Sequence, residues 1–385
     1  MVRPVALVAT AVFSMLPPVL AHAGFATTDM ACCASVALAS YCLLLWAEEP
    51  SWKRALGVGI AFAVVVLSKM SAPFYAIGCG GAIAVASYAA RPQDWNELRR
   101  QAAFRARQLI VILPLTLVLI WAGYGFSVAT LASSDRFEKA ASRAPALRTI
   151  APLGVLVLCP LSLALARWWI DDKRRFAQLA TLLCAGAVLA IAMSARINLG
   201  VRHILPIYPF VAILAAQGIV FLLRDRRPTW IAAAVVLLLG LDLFHTSAAG
   251  IDQVAYFNPI AGSHPERILS ESDLDWGQDL HRLSLRLHEL GVPRVSLAYF
   301  GTAPLETAGL PEFEPLDPAA AASGYVAISV HHLTLSAARD GSYKWLAQWT
   351  PLERVGKSIY IYKLGPYFAC KPTHAQSPVH LRHTP

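Results

Sequence analysis

Two arginines, an asparagine and a histidine lie close together in the segment RINLGVRHILPIYP, residues 196–209, between two long apolar runs. Ionisable residues at the mouth of a membrane span are costly to place there, so they favour a functional site. Cations that converge on one surface suit a phosphate or pyrophosphate, because arginine binds two oxygens at once and lysine acts as a point charge. The residues predicted to form this anion site are Lys69, Arg196, Arg202 and His203, with Asn198 in support.

Asp29, in the segment FATTDM, is the candidate acid beside these cations. An aspartate at a membrane face could be a general base or a metal ligand. It could also cap the helix predicted to start at Met30, with its carboxylate near the positive end of the helix dipole. Local sequence alone favours capping. For the cations the alternative is snorkelling, in which a long basic side chain reaches for lipid headgroups.

The elements that must position these residues are apolar, since 56% of the chain is hydrophobic. A transmembrane helix needs about 20 apolar residues. On this basis the sequence predicts an α-helical polytopic membrane protein with about nine spans. These lie near residues 4–22, 30–46, 55–68, 71–90, 108–126, 151–166, 177–194, 203–223 and 229–247.

Basic residues predict the orientation of the spans, because Lys and Arg prefer cytoplasmic connections. They concentrate in every second connection, around residues 53–54, 91–107, 167–175 and 224–227. The alternate connections, which hold Asp29, Lys69 and residues 196–203, then face outside with the C-terminal segment. The loop 127–150 is predicted to face outside but also carries basic residues, so it departs from the rule.

The net charge of +9 is a topology signal and not a sign of nucleic-acid binding. Residues 1–247 carry a net charge of +11, whereas residues 248–385 carry −2. Six of the seven cysteines lie in the apolar spans, where they behave as small hydrophobic residues. Only Cys370 lies outside them, so the C-terminal segment has no disulfide framework within one chain.

The first 23 residues have features of both a signal peptide and a span. Arg3, an apolar run and small residues before Gly24 are typical of a cleaved signal, whereas Pro17 and Pro18 suit a retained span. We favour the retained span. In either case residues 24–29 lie outside.

Beyond residue 248 the sequence predicts a small extracytoplasmic α/β domain, residues 248–365, followed by a loose tail, 366–385. Asp275 and Gln278 are spaced as a capping box before leucines at helical spacing from Leu280. Strands are predicted in three runs, at residues 294–300, 324–330 and 357–363.

Two clusters in this domain are weaker candidates for chemistry. Asp273, Asp275 and Asp279 invite a calcium interpretation, but the full loop pattern is missing. His331 and His332 are adjacent at the end of a predicted strand and would face opposite ways, which makes them poor joint ligands. We assign neither histidine a role.

Three segments together resemble the bacterial polytopic glycosyltransferases of the C-type superfamily, which includes protein O-mannosyltransferases and the lipid A aminoarabinose transferase. They are FATTDM, RINLGVRHILPIYP, and the pair YFNPIAG and SDLDWGQDL, and the resemblance covers roughly residues 1–365. It implies transfer of a sugar from a polyprenyl-phosphate donor to an acceptor at the outer membrane face, usually with inversion. Asp29 then resembles the second acidic residue of the active site, and Lys69, Arg196, Arg202 and His203 would hold the donor phosphate.

The chain departs from this family at its start. Family members typically begin with one or two further spans and a first outer loop whose aspartate acts as the base. Because Met1 precedes what resembles the third span, we expect a downstream start or a truncated, inactive relative.

Three hypotheses for function therefore stay open. The leading one is an inner-membrane glycosyltransferase that acts on a lipid-linked sugar and an acceptor of lipid, glycan or protein, with or without a divalent metal. The second is a non-catalytic membrane subunit that binds polyprenyl phosphate. The third is a transporter, which is the weakest because the charged cluster lies at a span boundary and not at mid-membrane.

Overall fold

The computed structural model describes residues 2–25, 27–90, 95–126, 172–194, 200–224, 229–248, 250–255, 266, 274–320 and 322–365. The chain divides into two compact units, Met1–Gln253 and Val254–Pro385, called here the membrane unit and the C-terminal unit. The predicted span 151–166, the loop 127–150 and the tail 366–385 lie outside the described residues.

The described part of the membrane unit is helical. Its helices are α1 (Val2–Met15), α2 (Pro17–Ala23), α3 (Thr28–Glu48), α4 (Trp52–Ser68), α5 (Ala72–Ala90), α6 (Trp95–Gly123), α7 (Asp172–Ser194), α8 (Tyr208–Arg224) and α9 (Thr229–Ala248). Two 3-10 turns, Gly200–His203 and Leu205–Ile207, precede α8, and a third, Gly250–Ala255, follows α9.

Four of the described helices are long and apolar enough to cross a membrane, or five if the bent pair α1 and α2 counts as one span. The bend of 65° has a local cause, because Pro17 and Pro18 follow Leu16. Proline lacks the N–H that a continuing helix needs, and it holds the preceding residue in an extended conformation. The predicted count of nine spans is larger than these four or five, and it stays a prediction.

Small residues bring the membrane-unit helices close together. The buried core of α3, α4, α5 and α7 is rich in alanine and cysteine. A Cβ atom added at Gly78 of α5 would lie 2.5 Å from Ile191 Cδ1 of α7, and one added at Gly59 of α4 would overlap the side chain of Ile112 of α6. Helices that associate in lipid use small residues in this way.

Contacts between neighbouring helices show which helix ends lie together in this bundle. The Ser35 and Ser68 hydroxyls are 3.0 Å apart, so the start of α3 lies beside the end of α4. At the other end of α3, the guanidinium of Arg54 donates to the Leu45 carbonyl oxygen at 2.7 Å, and that of Arg105 to the Ala47 carbonyl oxygen at 3.0 Å. Arg54 and Arg105 belong to the basic connections that are predicted to face the cytoplasm.

The C-terminal unit is built on a five-stranded mixed sheet. Its strands are β1 (Arg294–Ala298), β2 (Glu312–Pro315), β3 (Gly324–Ser329), β4 (Glu353–Val355) and β5 (Ile359–Leu364), in the order β2-β1-β3-β5-β4. Strands β2, β1 and β3 are parallel, and β5 is antiparallel to both β3 and β4.

Alternation along the strands gives the sheet two apolar faces. Helix α10 (Leu280–Glu289) packs Leu283 and Leu287 against one face, which includes Val295 and Ile361. The opposite face buries Val326, Ile328, Tyr362 and Leu346. Successive side chains of a strand point to opposite faces, so both layers come from the same strands.

Two details of this unit correct the sequence interpretation. Asp275 and Gln278 do not form a capping box. The Asp275 carboxylate accepts from the Gly277 amide, Gln278 Oε1 accepts from the Trp276 amide, and the helix starts only at Leu280. His331 and His332 do not end a strand either, because β3 stops at Ser329 and a helical turn follows, with a π-helix at His332–Ser336.

Candidate functional site

Asp29 and Lys69 form an ion pair at one end of the membrane unit. Helix α3 begins at Thr28, earlier than predicted, so Asp29 lies inside the first turn and Thr27 occupies the capping position. Asp29 is 3% exposed, and its Oδ1 accepts from the Lys69 ammonium. The carboxylate is therefore held by a side chain of another helix and also lies near the positive end of the α3 dipole.

Lys69 is positioned by the connection between α4 and α5. Its backbone is extended and ends α4, and its carbonyl oxygen accepts from the Ala72 amide at 3.0 Å, which closes a tight turn into α5. About a quarter of the Lys69 side chain stays exposed (23%). The ammonium group therefore reaches the buried carboxylate of Asp29 from a partly open side.

The two 3-10 turns before α8 bring Arg202 and His203 to the same end of the bundle. The Tyr75 hydroxyl donates to the His203 carbonyl oxygen at 2.9 Å and lies 3.3 Å from its Nε2 atom. Two residues further along, the Leu205 carbonyl oxygen accepts from the Cys33 thiol at 3.4 Å. Since Cys33 lies in the second turn of α3, this segment is tied to the helix that carries Asp29.

The side chains at this end are close enough to act on one another electrostatically. The His203 ring lies within range of the charges of Lys69, Asp29 and Arg202. The same three charges act on His22, at the end of α2. The cluster of His22, Asp29, Lys69, Arg202 and His203 is called here the outer-end cluster, after its predicted side of the membrane. It has two permanent cations and one carboxylate, so it suits an anion.

The outer-end cluster contains four of the six predicted site residues. Asp29, Lys69, Arg202 and His203 come together, although they are distant in sequence. Arg196 and Asn198 lie outside the described residues. His22 was not predicted, because it was considered only as part of a signal-like run. The signal that could have found it is an ionisable side chain inside an apolar segment.

The C-terminal unit holds two buried carboxylates. Asp279 is 1% exposed and fully engaged: its Oδ2 accepts from the Lys357 and Ser358 amides and the Ser358 hydroxyl, and its Oδ1 from Arg282. Gly356 packs so closely that a Cβ there would overlap the carboxylate of Asp279. This carboxylate fixes the start of α10 to the turn between β4 and β5.

Asp275 is buried without complete hydrogen bonding. Its Oδ1 accepts from the Gly277 amide at 2.9 Å, whereas its Oδ2 is buried and has no hydrogen-bond partner. Burial, together with the nearby charge of Asp279, raises the pKa of Asp275 to about 6, although the Gly277 amide and the nearby Ser329 and Ser358 hydroxyls oppose the rise. A carboxyl group in this environment favours its protonated form.

Metal ligation was one hypothesis for Asp29 and for the acidic segment. Within the part of the chain that the structure describes, no group of three His, Cys, Asp or Glu side chains is arranged to hold a metal ion. Asp273, one of the three predicted calcium ligands, lies outside those residues.

Comparison of the chain with protein families, with curated proteins and with solved structures gave no match. The residues of the outer-end cluster are therefore the basis for proposing a function.

Proposed function

We propose that the membrane unit is a glycosyltransferase that takes a sugar from a polyprenyl-phosphate donor and transfers it to an acceptor at the outer membrane face. The observation that carries this proposal is the outer-end cluster, in which Lys69 pairs with one buried carboxylate and the charges of Asp29, Lys69 and Arg202 act on two histidines. Such a set can bind a lipid phosphate and also supply a base. The motif resemblance to C-type glycosyltransferases is a second support, and it involves the same segments, FATTDM and RINLGVRHILPIYP.

Lys69 and Arg202 are the proposed phosphate ligands. In the transfer, an acceptor hydroxyl oxygen attacks the anomeric carbon, and the bond from that carbon to the phosphate oxygen breaks. The electron pair of that bond goes to the departing phosphate, so negative charge grows there. Cations placed beside it stabilise that charge. Arg196 and His203 complete the proposed set.

Asp29 is the proposed catalytic carboxylate. A direct displacement with inversion requires a carboxylate to accept the hydroxyl proton, and Asp29, as the second acidic residue in the resemblance, would accept that proton or support its transfer. Its present partner is Lys69. A donor phosphate would compete for the same ammonium, because phosphate oxygens are strong acceptors for a cation. Donor binding would thereby release Asp29 for proton transfer.

The ion pair also supports a second candidate function, a subunit that binds polyprenyl phosphate without turnover. A carboxylate that stays engaged by Lys69 neutralises one cation and takes no proton. In this alternative the cluster holds the lipid headgroup through Arg202 and the histidines alone.

Donor binding tests the anion site that both functions share. Arg202→Ala should remove a charge-assisted contact worth about 1.5–3 kcal/mol, or roughly tenfold to a hundredfold in affinity. Lys53→Gln is a suitable control, because Lys53 is an exposed cation at the opposite end of α4 from Lys69. The measurement is binding of a labelled polyprenyl-phosphate sugar by the protein in nanodiscs. Equal affinities for Arg202→Ala and wild type would leave snorkelling as the explanation.

Sugar transfer separates the enzyme from the binding subunit. Asp29→Asn keeps the size of the side chain but removes its basicity. General-base effects are typically on the order of a hundredfold or more. We expect transfer of labelled sugar to fall by at least that factor while donor affinity is retained. Donor binding by wild type without any transfer would favour the subunit, and full activity of Asp29→Asn would return Asp29 to a structural role.

We further propose that the protein lies in the cytoplasmic membrane with its C-terminal unit outside the cytoplasm, because basic connections alternate along the chain. A reporter that is active only in the cytoplasm, fused after Gly365, should give no signal. A strong signal would show that the number of spans differs from nine by an odd number.

A further inference from the structure

We propose that His22 is a proton-binding member of the anion site, whose ring takes up a proton when a phosphate group binds to the outer-end cluster. This inference depends on the proposed function, since it concerns the same phosphate. It adds a residue and a property that the motif resemblance does not include: coupling of phosphate binding to proton uptake.

The placement of His22 is the first observation. His22 is 3% exposed, at the end of the short helix that follows the proline break. Its Nδ1 atom is buried and has no hydrogen-bond partner, and its ring centroid lies 6.3 Å from that of Phe25. Buried polar atoms are normally paired, so an unpaired ring nitrogen in a polar cluster indicates a position that a ligand or a proton can use.

The charges around His22 are the second observation. The groups that act on it come from three different segments: Asp29 from α3, Lys69 from the end of α4 and Arg202 from the 3-10 turn before α8. The cations of Lys69 and Arg202 oppose a positive charge on the ring, and the carboxylate of Asp29 favours it. Asp29 is already paired with Lys69, so its influence is partly offset.

A bound phosphate changes this balance. Burial disfavours the charged form of an imidazole, whereas a nearby anion favours it. A phosphate at Lys69 and Arg202 adds negative charge beside these two cations, in addition to the carboxylate of Asp29. The protonated ring can then donate to the ligand through a nitrogen that has no partner in the free protein. Binding and protonation of His22 therefore assist each other.

Calorimetry in buffers of different ionisation enthalpy measures the proton uptake directly. The probe is a polyprenyl-phosphate sugar in nanodiscs, because a phosphodiester does not itself titrate between pH 5.5 and 8.5. Dimethyl phosphate, a soluble diester, tests whether the headgroup alone is enough. We expect wild type to take up as much as one proton per bound diester and to bind up to about tenfold more weakly for each unit of rising pH.

Variants assign the proton to its site. His22→Gln should bind with little pH dependence and no proton uptake, whereas His203→Gln should retain both. Arg202→Ala should bind more weakly at every pH and still take up the proton.

Three outcomes would overturn the inference. Binding by wild type with no proton uptake would overturn the role of His22 and leave the anion site intact, whether or not His22→Gln folds. Proton uptake that is lost in His203→Gln and kept in His22→Gln would assign the proton to His203 and contradict the role of His22. An absence of diester binding at every pH would overturn the proposed function itself, and this inference with it.

Discussion

Asp29 in the membrane unit and Asp279 in the C-terminal unit are both almost completely buried, but different groups neutralise their charges. Asp279 accepts hydrogen bonds from two backbone amides and a hydroxyl, in addition to its contact with Arg282. Asp29 is held by the end of one lysine side chain. Backbone amides cannot leave without unfolding the turn, whereas a lysine side chain can rotate toward another anion. The first arrangement stabilises a fold, and the second suits an exchangeable ligand.

The largest effect is expected for Asp279→Ala. It leaves the buried amides of Lys357 and Ser358 without an acceptor, so we expect the C-terminal unit to lose about 3–5 kcal/mol. The measurement is hydrogen–deuterium exchange in peptides that contain β5. Asp340→Ala is the control, because that exposed carboxylate bonds only to nearby Ser342. Similar protection in both variants would contradict the role assigned to Asp279.

Asp275 should make the C-terminal unit pH-dependent. Its pKa of about 6 in the folded protein exceeds the ordinary value of 3.8, so the folded state holds its proton more tightly than the unfolded state. Stability should fall as pH rises from about 4 to about 6, by about 2–3 kcal/mol from this group. Asp275→Asn should remove that part of the slope and be more stable than wild type at pH 7. Amide hydrogen-exchange rates, corrected for the intrinsic effect of pH, measure this pH dependence. Identical slopes of stability against pH for wild type and Asp275→Asn would contradict the role of Asp275.

Helix contact in the membrane unit gives a steric test with a matched control on the same helix. Gly78→Leu places a bulky side chain against Ile191, whereas Gly81→Leu has nothing within 4 Å of its Cβ position. We expect Gly78→Leu to cost about 1–3 kcal/mol and Gly81→Leu much less. Thermal unfolding in detergent compares them. Equal losses would contradict the close approach of α5 and α7.

The smallest effect should come from the Asp29–Lys69 pair itself. A double-mutant cycle with Asp29→Asn and Lys69→Gln, measured by unfolding without ligand, should give a coupling of about 1 kcal/mol, since Lys69 is partly exposed. A coupling as large as the loss in Asp279→Ala would mean that the pair mainly stabilises the fold.

Periodicity predicted the regular parts of the C-terminal unit. The leucines at helical spacing located α10, and the three apolar strand runs correspond to β1, β3 and β5. Strands β2 and β4 were missed because they are short and polar, with the sequences EFEP and ERV. Their hydrogen bonds to neighbouring strands define them, and such partners are not visible in local sequence.

Contacts that residue spacing does not show explain the errors near Asp275 and His331. An aspartate can bond to a nearby backbone amide in a turn as well as at a helix cap, and Asp275 does so with Gly277. His331 follows a strand that ends one residue earlier than the apolar run suggests, and its ring stacks on Phe300 at 3.7 Å between centroids. A local hydrogen bond therefore accounts for Asp275, and a contact with a distant segment accompanies the turn at His331.

The outer-end cluster could be predicted in part because membrane topology is encoded in charge. Alternating basic connections assigned Asp29, Lys69, Arg202 and His203 to one side without any knowledge of packing. The pairing of Asp29 with Lys69 depends on the turn between α4 and α5, and the nearness of His22 depends on the proline break. Neither can be derived from the spacing of residues along the chain.

The order of strands in the sheet has a consequence for biosynthesis. Strand β5 is the last in sequence but lies between β3 and β4. Until residues 359–364 have been made, β3 has an open edge beside its apolar residues Val326 and Ile328, and open edges pair readily with other chains. A released chain that ends before Ile359 should therefore aggregate, whereas a released chain that ends after Leu364 can complete its sheet.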